Sequence, residues 1–347
     1  MPGPGERLRK AGKRLAKRLS DERALRWRRP PKLHAAASGE TRTVYYLCPD
    51  YPTPSGGIRA IYRHVDILNE AGIEAAVLHH ADGFACDWFE HSTRVVGAPT
   101  TRLSPADVLM VPEVYGPFLD RFPREPRSVL FNQNAYMTFE HVPVGARVPY
   151  EIFEAALTVS EDSAAYLCFA FPGLEVSVVS NGVDPDLFHP ATEMPPRRLA
   201  LMPRKRPEEA EAILRLLGER LRGWEVVRIE GASERRTADL LRSSPLFLAL
   251  GKQEGFGLPA AEAMASGCYV IGFSGFGGRD LFDRSCSAPV EDGDVLAAAR
   301  EIAAAIDRYE REPEAVRAAG AAAGARVREK YSLQRQARDL VAFQERI

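Results

Sequence analysis

Cysteine is scarce in this 347-residue chain. There are five, Cys48, Cys86, Cys168, Cys268 and Cys286, with no Cys-x-x-Cys pair. That spacing offers no zinc or redox framework, and an odd number argues against a secreted disulfide scaffold. A reducing, cytoplasmic compartment is the expectation. No apolar run approaches the ~20 residues of a membrane span, and the N-terminus lacks the apolar core of a signal peptide. An excess of one charge is missing too: the formal net charge is −1, which does not favour a polyanion-binding body. What is present is an ordinary globular composition, 45% hydrophobic and 27% charged. It excludes a wholly disordered or collagen-like chain, and the length suggests about two domains.

The charge is unevenly spread. Residues 1–40 hold 12 Lys/Arg and 4 Asp/Glu, whereas the rest holds 34 and 43. On a helix over 6–20, Leu8, Ala11, Leu15 and Leu19 share a narrow face, while Arg9, Lys10, Lys13, Arg14 and Lys17 cover the other side. This is the pattern of an interfacial helix on anionic lipid; a solvated extension is the alternative. Nucleic acid is not an expected partner, because the body is acidic and no aromatic platform accompanies the arm. Residues 1–40 therefore read as a basic amphipathic arm and linker.

From residue 41 short apolar strands alternate with helical periodicity. Strands are expected over 43–48, 74–80, 106–111, 127–131, 155–159 and 174–179, and a helix after Gly56-Gly57. Residues 181–196 carry Gly182 and four prolines and read as a linker. A second alternation follows: strands over 199–202, 224–229, 246–250 and 268–273, helices over 207–221, 238–242, 258–265 and 295–330, broken at Pro313, and a last helix over 333–345. The fold class is α/β, two doubly wound parallel sheets over 41–190 and 191–330. Ligands of such sheets bind beyond the carboxyl ends of the strands.

The strongest local signal is Glu254-Gly255-Phe256-Gly257-Leu258-Pro259, running into Glu262. It follows an apolar strand and opens a helix. The glycines permit close backbone approach, Pro259 suits a first helical turn, and the free amides there accept phosphate oxygens. Glu254 is expected in the loop. Glu262, one turn into the helix, can accept hydrogen bonds from a diol such as ribose. A plain strand–turn–helix connection with two solvated glutamates is the bland alternative.

This segment resembles the Glu-x7-Glu signature of the retaining, GT-B-fold glycosyltransferases of the family-4 type. Supporting segments are Ser55-Gly56-Gly57, Val159-Ser160-Glu161, Val179-Ser180-Asn181-Gly182-Val183-Asp184, Val290-Glu291-Asp292-Gly293-Asp294 and the helix after Tyr331-Ser332, so the likeness covers residues 43–345. It implies two Rossmann-like domains facing a cleft, with the C-terminal helix 331–347 returning to the first. It also implies sugar transfer from a nucleoside diphosphate sugar to a glycan or lipid-linked acceptor, with no metal or other cofactor. Carried over residue by residue, Glu262 would hold the ribose and Glu254 would face the sugar. Phe256, Gly257 and Leu258 would contact sugar and phosphate, with Gly56 and Gly57 approaching the diphosphate. Arg204 and Lys205 would neutralise it, although the family spaces its lysine some five residues after the arginine and here the two are adjacent. Many relatives place a histidine after an N-domain strand; here Gln133 and Asn134 stand there as acceptor-side candidates.

Asp184-Pro185-Asp186 imitates an Asp-x-Asp metal motif, but in the linker it reads as a turn. A GT-B epimerase or phosphorylase, and a catalytically silent nucleotide-sugar-binding scaffold, are the alternative functions.

Overall fold

The computed structural model describes residues 28–39 and 41–347. The helix expected over 6–20 lies outside the described residues. The first sheet contains β1 (Val44–Cys48), β2 (Ala75–His79), β3 (Val95–Gly97), β4 (Val108–Pro112), β5 (Arg127–Asn132), β6 (Phe153–Thr158) and β7 (Glu175–Val178). Helix α1 (Gly56–Glu70) follows β1, and α2 (Glu161–Ala170) follows β6. The second sheet contains β8 (Arg198–Leu201), β9 (Glu225–Arg228), β10 (Leu246–Glu254), β11 (Tyr269–Phe276) and β12 (Ala288–Val290). Its helices are α3 (Pro207–Leu217), α4 (Glu234–Arg242), α5 (Leu258–Ala265), α6 (Val295–Arg311) and α7 (Pro313–Lys330); α8 (Leu333–Arg346) comes last.

The strand orders are β3-β2-β1-β4-β5-β6-β7 and β12-β11-β10-β8-β9, and every pairing is parallel. Strands β1, β2 and β4 are buried at every position. Their unbroken apolar runs suit sheets covered on both faces. The order reverses between β1 and β4 in the first sheet and between β8 and β10 in the second. Those switch points are where a crevice opens.

Some boundaries differ from the expected ones. Strands β3 and β12 have three residues each, too few for a periodic signal. Helix α4 begins at Glu234 rather than 238, because the Ser233 hydroxyl accepts the amide of Arg236. Strand β10 continues past 250. Beyond an irregularity between Gly251 and Glu254 it still pairs with β11, setting Glu254 opposite Phe276. Glu254 thus ends a strand rather than sitting in the loop.

The chain passes between the sheets twice, and the two crossings are bonded together. The amide of Val183 donates to the Tyr331 carbonyl (2.9 Å) and that of Gly182 to Gln336 Oε1 (3.0 Å). A methyl group at Gly182 would lie 2.9 Å from the Leu333 Cα, so a larger residue would separate the crossings. Helix α8 then packs on the first sheet, with Leu340 and Phe343 in the cluster that holds Val44, Tyr46 and Val65.

Candidate active site

The site is built on two helix starts that face each other. Gly257, at φ +91°, precedes α5 in the left-handed conformation that glycine alone adopts freely. It aims the unbonded first amides of the helix out of the second sheet. Gly56 opens α1 from the first sheet, and a methyl group there would be 3.4 Å from Leu258 Cδ1. The approach is closer still at Gly255, where a methyl group would sit 1.8 Å from the Gln133 carbonyl oxygen. The side chain of Gln133 lies over Gly57, 3.4 Å from where a Cβ would stand. Asn134 Nδ2 donates to the Gln253 carbonyl at 2.8 Å. The 133–134 and 253–258 segments therefore form the two lips of one cleft.

Both glutamates of the motif are held by cations. Lys205 Nζ lies 2.7 Å from Glu254 Oε2. The contact spans the β8–β10 switch point, since Lys205 follows β8 and Glu254 ends β10. Glu262 is buried, and its Oε1 pairs with Arg59 Nη2 at 2.8 Å. Arg59 is on α1, so this pair crosses from one domain to the other; its Nη1 also reaches Glu234 Oε1 at 2.6 Å. Burial alone would lower the Arg59 pKa, but Glu262 and Glu234 outweigh it and raise it. Burial raises the Glu262 pKa, and the Arg59 charge opposes that rise.

The basic segment after β8 divides into separate roles. Arg204 is exposed and makes no ion pair with any described residue. Arg206 is buried. It donates to the Gly251 carbonyl (2.8 Å), pairs with Glu209 and Asp292, and lies over the Phe273 ring. The decoy carboxylate Asp184 accepts the amide of Asp186 in a turn. No group of His, Cys, Asp and Glu among the described residues has the arrangement of a metal site.

Two residues join the site that the sequence did not mark. Arg59 is one; only its place three residues into a helix after two glycines could have signalled it. Glu113 is the other. It follows β4 directly, at the strand end where ligand loops belong, and accepts the Gln133 amide at 3.1 Å. Burial pushes its pKa up to about 7, against the backbone amides of Gln133 and Asn134 that favour the carboxylate. His64, His79 and His80 play no part in the cleft contacts. His64 bonds to Tyr46, His79 to Tyr62 and Asp50, and His80 to Tyr115.

Two parallel Rossmann-like sheets with their switch points facing one cleft define the architecture. The fold is GT-B. This GT-B chain superposes on sucrose-phosphate synthase from Thermosynechococcus elongatus with a TM-score of 0.66 and 14% identity, over 88% of this chain and 98% of the other. Anabaena HepE in complex with UDP-glucose gives a TM-score of 0.62 at 14% identity, over 88% and 100%. Residues 197–342 match the family described as "Glycosyl transferase-like". The alpha-1,6-glucosyltransferase of Actinobacillus pleuropneumoniae serotype 7 (strain AP76) is 25% identical over 279 residues, covering 77% of this chain and 84% of that relative. The family match and this relative support glycosyltransferase activity.

Proposed function

We propose that this GT-B chain transfers a hexose, with retention, from a uridine diphosphate sugar to a glycan or lipid-linked acceptor. The observation that carries the reading is the pair of facing helix starts flanked by Glu254 and Glu262, each with one carboxylate oxygen on a cation. The uridine and the hexose are taken from the relatives, one a glucosyltransferase and one holding UDP-glucose.

In this reading Glu262 accepts ribose hydroxyls and Glu254 faces the sugar. The amides of Phe256, Gly257 and Leu258 meet sugar and phosphate, while Gly56 and Gly57 let α1 approach the diphosphate. Arg204 and Lys205 supply positive charge to the leaving group, so no metal is invoked. The acceptor oxygen bonds to the anomeric carbon on the face from which the diphosphate leaves, and the diphosphate takes the acceptor proton. Gln133 and Asn134 orient the acceptor by hydrogen bonds. The protein's work is positioning and charge stabilisation.

A thermal-shift screen across nucleoside diphosphate sugars tests the donor: at 100 times Kd the true one adds ~2.7 kcal/mol of stability. Transfer assays with Glu254→Ala and wild type then test the chemistry. Lost transfer with retained nucleotide binding is expected. Equal activity would reject the site, and isomerised or phosphorolysed donor would favour an epimerase or phosphorylase.

The basic arm is proposed to rest on an anionic, cytoplasm-facing membrane surface. What supports this is where it leaves the body: Arg28 pairs with Glu140 at 2.6 Å, next to exposed Phe139, and Val144 and Phe169 are almost fully exposed. Among the described residues no helix is long and apolar enough to cross a membrane. Deleting residues 1–38 is expected to abolish binding to phosphatidylglycerol vesicles; unchanged binding would remove the proposal.

A further inference from the structure

The two glutamates of the motif are secured in different ways. Glu254 is paired within its own domain by Lys205. Glu262 is paired across the cleft by Arg59, which has no counterpart in the motif that the sequence displays. The Arg59 guanidinium spends one nitrogen on Glu262 Oε1 and the other on Glu234, at the first turn of α4. No described residue donates a hydrogen bond to Glu262 Oε2. The carboxylate is thus fixed through one oxygen, with the other free of donors among the described residues.

We propose that Arg59 is a positioning residue: it holds Glu262 as an oriented acceptor for the ribose diol, so that nucleotide recognition is complete only when the two domains have met. This rests on the ribose role of Glu262 given above. The physical requirement is plain. A carboxyl group this buried favours its neutral form, and a neutral acid gives up part of its accepting capacity. The charged groups acting on it are Arg59 and Arg63 from α1, which favour the carboxylate, and Glu234 from α4, which disfavours it. Arg59 is the group in direct contact, and it also neutralises Glu234. Without it, two carboxylates would face each other with only Arg63 to offset them. Because Arg59 belongs to the first domain and both its partners to the second, the clasp exists only where the two domains meet.

The test is calorimetric binding of UDP and 2′-deoxy-UDP to the full chain and to Arg59→Gln, Arg59→Lys, Glu262→Gln and the double variant Arg59→Gln/Glu262→Gln. Melting curves check that each is folded. Arg59→Gln should bind UDP about tenfold more weakly, the loss of one charged hydrogen bond. Its preference for UDP over the deoxy form should shrink to that of Glu262→Gln. The double variant should be no weaker than Glu262→Gln alone, since one interaction is being removed twice. The UDP affinity of Arg59→Gln, relative to wild type, should recover as pH rises, because Glu262 regains its charge. Arg59→Lys should restore part of the preference. If Arg59→Gln keeps the wild-type preference while Glu262→Gln loses it, or if the two losses add, the clasp is wrong and the ribose assignment survives. If Glu262→Gln itself keeps the wild-type preference, the ribose assignment fails.

Discussion

Arginines 204 and 206 stand two residues apart and should fail in different ways. Arg206 is buried between the Gly251 carbonyl, Asp292 and the Phe273 ring. Arg206→Ala removes the donor to the Gly251 carbonyl and the packing on Phe273, while Glu209 and Asp292 keep access to solvent; it is expected to cost about 1–3 kcal/mol, read as a lower melting temperature. Arg204 makes no ion pair with any described residue. Arg204→Ala should leave melting unchanged and weaken nucleoside diphosphate binding about tenfold or more, roughly one charge-assisted hydrogen bond. A stability loss without a binding loss would exchange their roles. Glu113 yields a pH prediction. Its folded pKa, about 7, lies above the ordinary carboxyl value of 4.5. The linked stability is therefore complete below pH 4.5, declines as pH rises, and is gone above pH 7. The swing is roughly 3 kcal/mol. Glu113→Gln cannot ionise, so its melting temperature should fall less than the wild type's between pH 5 and 8; parallel profiles would refute this.

At the scale of elements, the glycines near α5 divide by what they face. A methyl group on Gly255 would strike the Gln133 carbonyl of the other domain, whereas one on Gly277 would strike the Glu254 and Gly255 carbonyls of its own domain at 2.3 Å. Gly255→Ala should therefore fold with little change in melting and lose transfer, while Gly277→Ala should lose stability. Both are measured by melting and by turnover. These loops also mark how far sequence reasoning reaches. Helix α5 was legible to the residue because Gly257, Pro259 and Gly267 punctuate both its ends. Strands β3 and β12 were not, because three residues carry no period. The end of β10 was missed because Lys252, Gln253 and Glu254 are polar and stay in the strand only through the partner β11. Glu254 and Glu262 were readable as a spaced pair. Arg59 and Glu113 were not, since their partners lie 203 and 20 residues away. Contacts of that kind are set by tertiary apposition and leave no local mark.

For the whole molecule, the first domain is built from the beginning and the end of the described chain. Leu340 is fully buried beneath α1, and Arg42 donates to the Gln344 carbonyl at 2.9 Å. Leu340→Ala should cost about 2–5 kcal/mol, as large cavities in packed cores do. It should lower the melting of the first domain more than that of the second, which domain-resolved hydrogen exchange would separate. Equal effects would mean that the two domains unfold as one unit. Emergence from the ribosome adds a timing to this arrangement. Every strand of the first sheet is synthesised before residue 180, yet the side chains that seal it arrive about 160 residues later, at 340 and 343. At ~5–20 residues per second the nascent first half waits many seconds with an uncovered flank, while the second domain, contiguous from 198 to 330, can finish first. A chaperone that shields apolar surface during synthesis would be needed there, on the half of the protein that is made earliest.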